Sequence, residues 1–394
     1  MKLSKRIKSV EPSPIRKFTP YAEEAEKRGI KVYRLNSGQP DIKTPDEFFQ
    51  PIREFNGVLS YQRSQGTVEL LESFERYYKK NAIDFTKDDI VATIGGTDSI
   101  LYGLLMTCDV GDELLLPEPF YTNYKSIASF INIDIKALPT SAENGYELPS
   151  LEEMKSMVGP KTKAILFSNP GNPTGRVFNK REMEDLVKLA LDEDLFILAD
   201  EVYREFVYDN KEFKSFAQIK EIEDRLILLD SISKRYSACG ARIGCLASKN
   251  KEIIAEATKL AQSNISLPLL EQLGAANLEN VDRSFMDETK KEYEKRRNLV
   301  YEHLSTIPGV LCEKPGGAFY IGAKLPVDNA SDFAKWLLTD FSHNEETIMI
   351  TPMEGFYKTE GQGRSEVRIA YPIKEKDLIK SMEILRLALE EYNK

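Results

Sequence analysis

The chain has 394 residues, 41% hydrophobic and 30% charged, with a formal net charge of −9. That length allows a large core and two or three domains. An acidic chain without a basic cluster is a poor binder of nucleic acid or anionic membrane, and no apolar run approaches the length that spans a bilayer.

The first 14 residues, "MKLSKRIKSVEPSP", are basic but carry no apolar stretch, so they read as an arm and not as a secretory signal. The segment that follows, to residue 45, has no clear core of its own. "ATIGGTDSILYGLL" (92–105) reads as a strand, a glycine pair and a helix start, with the backbone N–H groups of Thr97 and Asp98 facing an anion. Taken alone, it reads first as a tight βα turn. "AILFS" (164–168) runs into "NPGNPTG", which puts Asn172 in a proline-locked loop that turn chemistry alone would explain.

A helical stretch from Lys180 leads to "LFILAD" (195–200), which ends on Asp200 with Tyr203 three residues on. A carboxylate there is either a helix N-cap or a buried charge that needs a cation. "RLILLD" (225–230) leads into "SISK", placing Lys234 at a strand mouth, with Arg242 eight residues later and "GARIGCLAS" (240–248) beyond. Short apolar runs between amphipathic helices predict an α/β domain with a mostly parallel sheet sandwiched by helices. In such sheets ligands bind at the carboxyl ends of the strands.

Beyond about residue 280 the pattern changes. "DETKKEYEKRRNLVYEHL" is a long charged helix, and "GGAFYIGA" and "EVRIAY" are short strands, which reads as a smaller α+β domain. The expected division is an arm at 1–14, a small domain from 15–45 and 286–394, and a large domain at 46–285. The four cysteines, Cys108, Cys239, Cys245 and Cys312, form no C-x-x-C pair, so a reduced, cytoplasmic setting without a metal site is expected. His303 and His343 lie far apart among charged residues, which disfavours a Ser-His-Asp hydrolase.

Singly, each strand-end motif is ordinary turn chemistry. Jointly they suit one cofactor, pyridoxal 5′-phosphate. Its aldehyde needs a lysine amine, and its ring nitrogen needs a carboxylate. Its phosphate needs N–H groups, hydroxyls and an arginine, and its ring face suits an aromatic side chain. Lys234, Asp200, the Gly96–Asp98 turn with Ser231, Arg242, Asn172 with Tyr203, and Tyr121 in "PEPFYTNY" supply that set.

The ordered series "NSGQPD", "YQRSQG", "GGTDS", "PEPFY", "SNPGNPTG", "ADEVY", "SISK", "GARIG" and "EVRIAY" resembles the fold-type I, pyridoxal phosphate-dependent class I/II aminotransferases from about residue 14 to residue 390. The resemblance implies that Lys234 forms the Schiff base and shuttles the proton, and that Asp200 pairs with the ring nitrogen. It implies that Asn172 and Tyr203 contact the ring oxygen, that Tyr121 stacks on the ring, and that Gly96, Thr97, Asp98, Ser231 and Arg242 hold the phosphate. Tyr61, in "SYQRSQG", would reach the neighbouring subunit's cofactor, making a homodimer with a shared active site. Arg368 would clamp the substrate α-carboxylate, helped by Gly38 and Asn172.

The implied reaction is ping-pong transamination between an L-amino acid and a 2-oxo acid. Some aspartate-selective members place a lysine after the glycine pair, where this chain has Thr97. Arg16 is a candidate substitute cation, or a solvated arginine of the arm. Phe18, Tyr33 and Phe356 either line an apolar pocket or pack. An aspartate-like donor with 2-oxoglutarate is favoured. Aromatic, alanine or branched-chain transamination and a C–S β-lyase are the alternatives. A ligand-sensing module of a transcription factor is disfavoured, because the 13 or so residues before the match cannot hold a helix-turn-helix.

Overall fold

The computed structural model describes residues 1–8 and 10–394; residue 9, within the predicted arm, lies outside the described residues. A seven-stranded sheet forms the centre. Its strands are β1 (Ile90–Ile94), β2 (Glu113–Glu118), β3 (Asp134–Pro139), β4 (Thr162–Ser168), β5 (Phe196–Asp200), β6 (Leu226–Ser231) and β7 (Ile243–Ala247). Their order is β1-β7-β6-β5-β4-β2-β3. β7 pairs antiparallel with both neighbours, and the other pairs are parallel.

The central strands are apolar at nearly every position because both faces are covered. Leu166, Leu198, Ile227 and Leu229 pack into one layer. The intervening Ile165, Phe167, Ile197 and Leu228 pack into the other. Helices α1 (Gly95–Thr107), α2 (Thr122–Ile131) and α3 (Lys180–Asp192) follow strands of this sheet. Helix α3 starts on a capping box in which Asn179 and Glu182 satisfy each other's N–H groups. Helix α4 is a single turn, Ile232–Arg235, directly after β6.

Helix α5 (Arg283–Ser305) is 23 residues long and runs unbroken through residue 286. Beyond it lie β8 (Tyr320–Lys324) and β9 (Glu366–Ala370), the inner pair of a four-stranded sheet. The smaller body is α+β, as the sequence predicts. Strand Lys31–Arg34 pairs in parallel with Glu346–Met349. Phe18, Ala22, Tyr33 and Leu35 share one buried cluster with Phe319, Ile348 and Ile369. Tyr203, Phe206 and Tyr208, from the loop after β5, belong to the same cluster, so the two bodies meet beside the end of β5. Among the described residues no helix is long and apolar enough to cross a membrane.

Candidate active site

The carboxyl ends of β4, β5 and β6 and the start of α1 face the segment 36–39 and β9 across a cleft of about 340 Å³. Of the residues singled out by sequence, Gly38, Gly96, Thr97, Tyr121, Asn172, Asp200, Tyr203, Ser231, Lys234, Arg242 and Arg368 all line it. Asp98 does not, because its carboxylate turns back to accept the Ile94 N–H at 3.2 Å. Tyr61 does not either; it stands exposed on the surface. Of the residues weighed for the substrate side chain, Arg16 lines the cleft. Phe18 and Tyr33 pack in the core instead, with Tyr33 Oη donating to Glu346 at 2.6 Å. A second cavity of similar size lies behind α4, beside Tyr77, Glu205 and Arg235, and holds none of the predicted residues.

Lys234 is carried on the one-turn helix α4. Ser231 caps it by accepting the Ser233 N–H at 3.1 Å, and the Ser231 hydroxyl also donates to the Ile243 carbonyl at 2.9 Å. Lys234 Nζ donates to the Gly38 carbonyl at 2.9 Å and lies 3.9 Å from Cys239 Sγ. Glycine is required at position 38, because a Cβ there would sit 1.8 Å from Tyr320 Oη.

Asp200 closes the inner end of the cleft. It accepts the Tyr124 hydroxyl at 2.7 Å and the Val202 N–H at 3.3 Å. No lysine or arginine lies within 4.0 Å of it among the described residues. Burial pushes its carboxyl up to about 6, against the pull of the Tyr124 hydroxyl.

Arg368, on β9, is the mirror case. It is 1% exposed and pairs with no carboxylate among the described residues. Its Nη1 donates to Asn172 Oδ1 at 2.9 Å and its Nη2 to the Asn36 carbonyl at 2.6 Å, while Nε is buried without a partner. The guanidinium lies 4.5 Å from the Tyr320 ring centroid and 5.3 Å from that of Phe356. Burial holds it below the usual arginine value.

At the third corner, α1 opens at Gly95 with φ +68, a left-handed conformation that glycine adopts without strain. The first-turn N–H groups of a helix lack internal partners, and here they fall beside Arg242. Arg242 Nη1 donates to the Cys239 carbonyl at 3.1 Å and Nη2 to the Ile94 carbonyl at 3.3 Å. Tyr203 and Tyr320 share a hydroxyl hydrogen bond of 2.7 Å. Tyr121 packs edge-on against Tyr124 at 5.5 Å, and burial pushes its phenol up to about 12.

Three residues of this site escape the sequence reading. Tyr124 follows Tyr121 by three positions, helical spacing that a search for a partner to Asp200 could have used. Tyr320 stands two positions before Gly322, which pairs with Arg368 across β8 and β9, so the two-residue period sets it on the Arg368 side. Asn36 heads the quoted "NSGQPD", but nothing within that stretch points to its link with residue 15.

A dianionic, aromatic cofactor bearing a ring cation fits this arrangement. The buried Asp200 lacks a cation, the buried Arg368 lacks an anion, and a helix start with an arginine faces the space between them.

The family model described as aminotransferase class I and II matches residues 30–382. The chain is 32% identical over 401 residues to the aromatic-amino-acid aminotransferase 2 of Thermococcus litoralis, covering 99% of each. It is 31% identical to the aspartate aminotransferase of Bacillus sp. (strain YM-2), covering 94% of each. Its fold matches the solved alanine aminotransferase of Pyrococcus furiosus with a TM-score of 0.89 at 28% identity, covering 99% of this chain and 100% of that one.

Proposed function

The chain belongs to the aminotransferase class I and II family, and on that premise we propose that it uses pyridoxal 5′-phosphate to move the amino group of an aspartate-like L-amino acid to a 2-oxo acid such as 2-oxoglutarate. The observation that carries this reading is the pair of uncompensated buried charges, Asp200 and Arg368, facing one cleft with Lys234.

Asp200 would hold the ring nitrogen, Asn172 and Tyr203 the ring oxygen, Tyr121 the ring face, and Lys234 the aldehyde carbon. Gly96, the backbone N–H groups of Thr97 and Asp98, Ser231 and Arg242 would hold the phosphate, joined by Tyr61 of the partner subunit in a homodimer. When bound, the cofactor supplies an electron sink that makes the substrate Cα–H acidic. Arg368 holds the α-carboxylate, with Asn172 and the Gly38 backbone beside it, and so orients the Cα–H toward Lys234. Lys234 Nζ takes that proton as the base and gives it back as the acid. The Tyr203–Tyr320 hydroxyl pair would keep Tyr203 in place to meet the ring oxygen.

Four cations and one carboxylate line the cleft among the described residues. Lys234, Arg242 and Arg368 have assigned partners, which leaves Arg16. Its side chain has no hydrogen-bond or ion-pair partner among the described residues, and it supports a distal carboxylate where Thr97 offers no charge. We also propose that residues 46–285 and the segments 15–45 and 286–394 act as two domains joined along α5.

With pyridoxal phosphate added, a panel of L-amino acids should be assayed against 2-oxoglutarate for glutamate formation. Aspartate should give the highest kcat/KM, with parallel initial-rate lines in the two-substrate experiment. Lys234→Ala should show no turnover and an unchanged circular dichroism spectrum. A higher value for alanine or tyrosine would overturn the substrate assignment. Pyruvate and ammonia released without any oxo acid would overturn the transfer reaction.

A further inference from the structure

We propose that Asn36 is the specificity-positioning residue of this site: it fixes the arm carrying Arg16 to the α-carboxylate clamp, and so sets the spacing between the two carboxylates of a substrate. This rests on the reading of Arg16 as the partner of a distal carboxylate.

Asn36 is 7% exposed and faces two ways. Its backbone carbonyl accepts Arg368 Nη2 at 2.6 Å. Its side-chain amide donates to the Ile15 carbonyl at 2.9 Å. Ile15 immediately precedes Arg16, and both line the cleft. One residue therefore links the guanidinium of the clamp to the backbone beside the second cation. Two residues further on, the Gly38 carbonyl takes Lys234 Nζ, so the same short segment also touches the base.

The segment has other anchors: Ile15 packs against the buried cluster that includes Phe356, whose ring lies 5.3 Å from the Arg368 guanidinium, and Asn36 adds the hydrogen bond that fixes the Ile15 backbone in register with the clamp. Pro14 rests against Gly355, where a Cβ would meet it at 3.0 Å. Glu11 pairs with Lys125 at 2.9 Å on the surface. Neither reaches Arg368. The Asn36 Oδ1, moreover, is buried without a donor. A half-satisfied amide in a buried position is costly, and an apolar side chain of the same shape would avoid that cost. The cost is offset if the N–H is needed for position, which is the role assigned here.

The test uses the holoenzyme and measures calorimetric affinity for two unreactive probes, maleate for a dicarboxylate and propionate for a monocarboxylate. Arg16→Ala should lower the maleate-to-propionate ratio by about ten-fold, the scale of a charge-assisted contact. Asn36→Ala should lower the ratio by about three- to ten-fold. The double variant should fall no further than Arg16→Ala alone, because both changes act through one cation. If Asn36→Ala does not fold, Asn36→Leu keeps the volume without the donor and should give the same ratio.

A normal ratio in Asn36→Ala and Asn36→Leu, or losses that multiply in the double variant, overturns the coupling while leaving Arg16 its role. A normal ratio in Arg16→Ala overturns the distal-carboxylate reading and the coupling with it.

Discussion

Asp200 is the residue whose electrostatics say most about the site. A carboxyl at the end of an apolar run is readable in sequence, but its solitude is not, since that depends on which side chains fold around it. Burial raises it to about 6. A carboxyl with a folded value above its unfolded one binds more protons when folded, so stability falls as pH rises from about 4 to about 6. In cofactor-free protein, Asp200→Asn should therefore be more stable than wild type above pH 6, by up to about 3 kcal/mol, and equal to it below pH 4. Urea unfolding across that range reads the difference, and two parallel pH profiles would show that Asp200 carries no such cost. The same variant should bind pyridoxal phosphate more weakly, because the ring nitrogen loses its partner. Tyr124 and Tyr320 leave a periodic signal in the sequence, but the partner each one serves is brought to it by another strand or loop, as is the partner of Asn36.

At the scale of elements, the site depends on how closely β7 lies against the start of α1. A Cβ on Gly244 would meet Gly95 C at 2.6 Å, the Asp230 carbonyl at 2.7 Å and Gly96 N at 2.8 Å, all of them backbone. Gly244→Ala should force the helix start away from Arg242. A loss of about 1–3 kcal/mol in urea unfolding is expected, together with weaker phosphate binding; full stability with full affinity would show that the turn can move freely. The turn that carries Lys234 is held from behind as well. Asp230 accepts the Ser231 N–H at 2.7 Å and Arg235 Nη2 at 3.0 Å, so one carboxylate pins both ends of α4. Tyr78 adds its hydroxyl to the same carboxylate at 3.0 Å. The motif "SISK" is readable as a lysine at a strand mouth, and Asp230 and Arg235 flank it directly, but Tyr78 comes from 152 positions away and no local pattern points to it.

For the whole molecule, the surface around Tyr61 bears on assembly. Val58, Leu59 and Tyr61 are 84%, 63% and 79% exposed. Ser64 donates to the Ile265 carbonyl at 2.6 Å, which brings the exposed Ile265 beside them. An apolar group of this kind is costly to leave in water, and we propose that a second copy of the chain covers it. Leu59→Asp should shift sedimentation from dimer to monomer. In addition, mixed Tyr61→Ala and Lys234→Ala subunits should recover activity that neither shows alone, since each hybrid dimer regains one intact shared site; no recovery would mean that Tyr61 does not serve a partner. What the sequence by itself determined is the sheet, from its doubly buried apolar runs, and the identity of the groups at the strand ends, because βα units deliver strand termini to one edge. It also offered Arg16 as a substitute cation for a distal carboxylate or a solvated arginine of the arm. The tertiary structure alone decided which charges are left uncompensated, that Phe18 and Tyr33 pack in the core, and that Asn36 joins arm to clamp. Most of those outcomes depend on contacts between segments tens to hundreds of positions apart, from 21 for Asn36 with Ile15 to 332 for Arg368 with Asn36, where burial and hydrogen bonding are set by the fold.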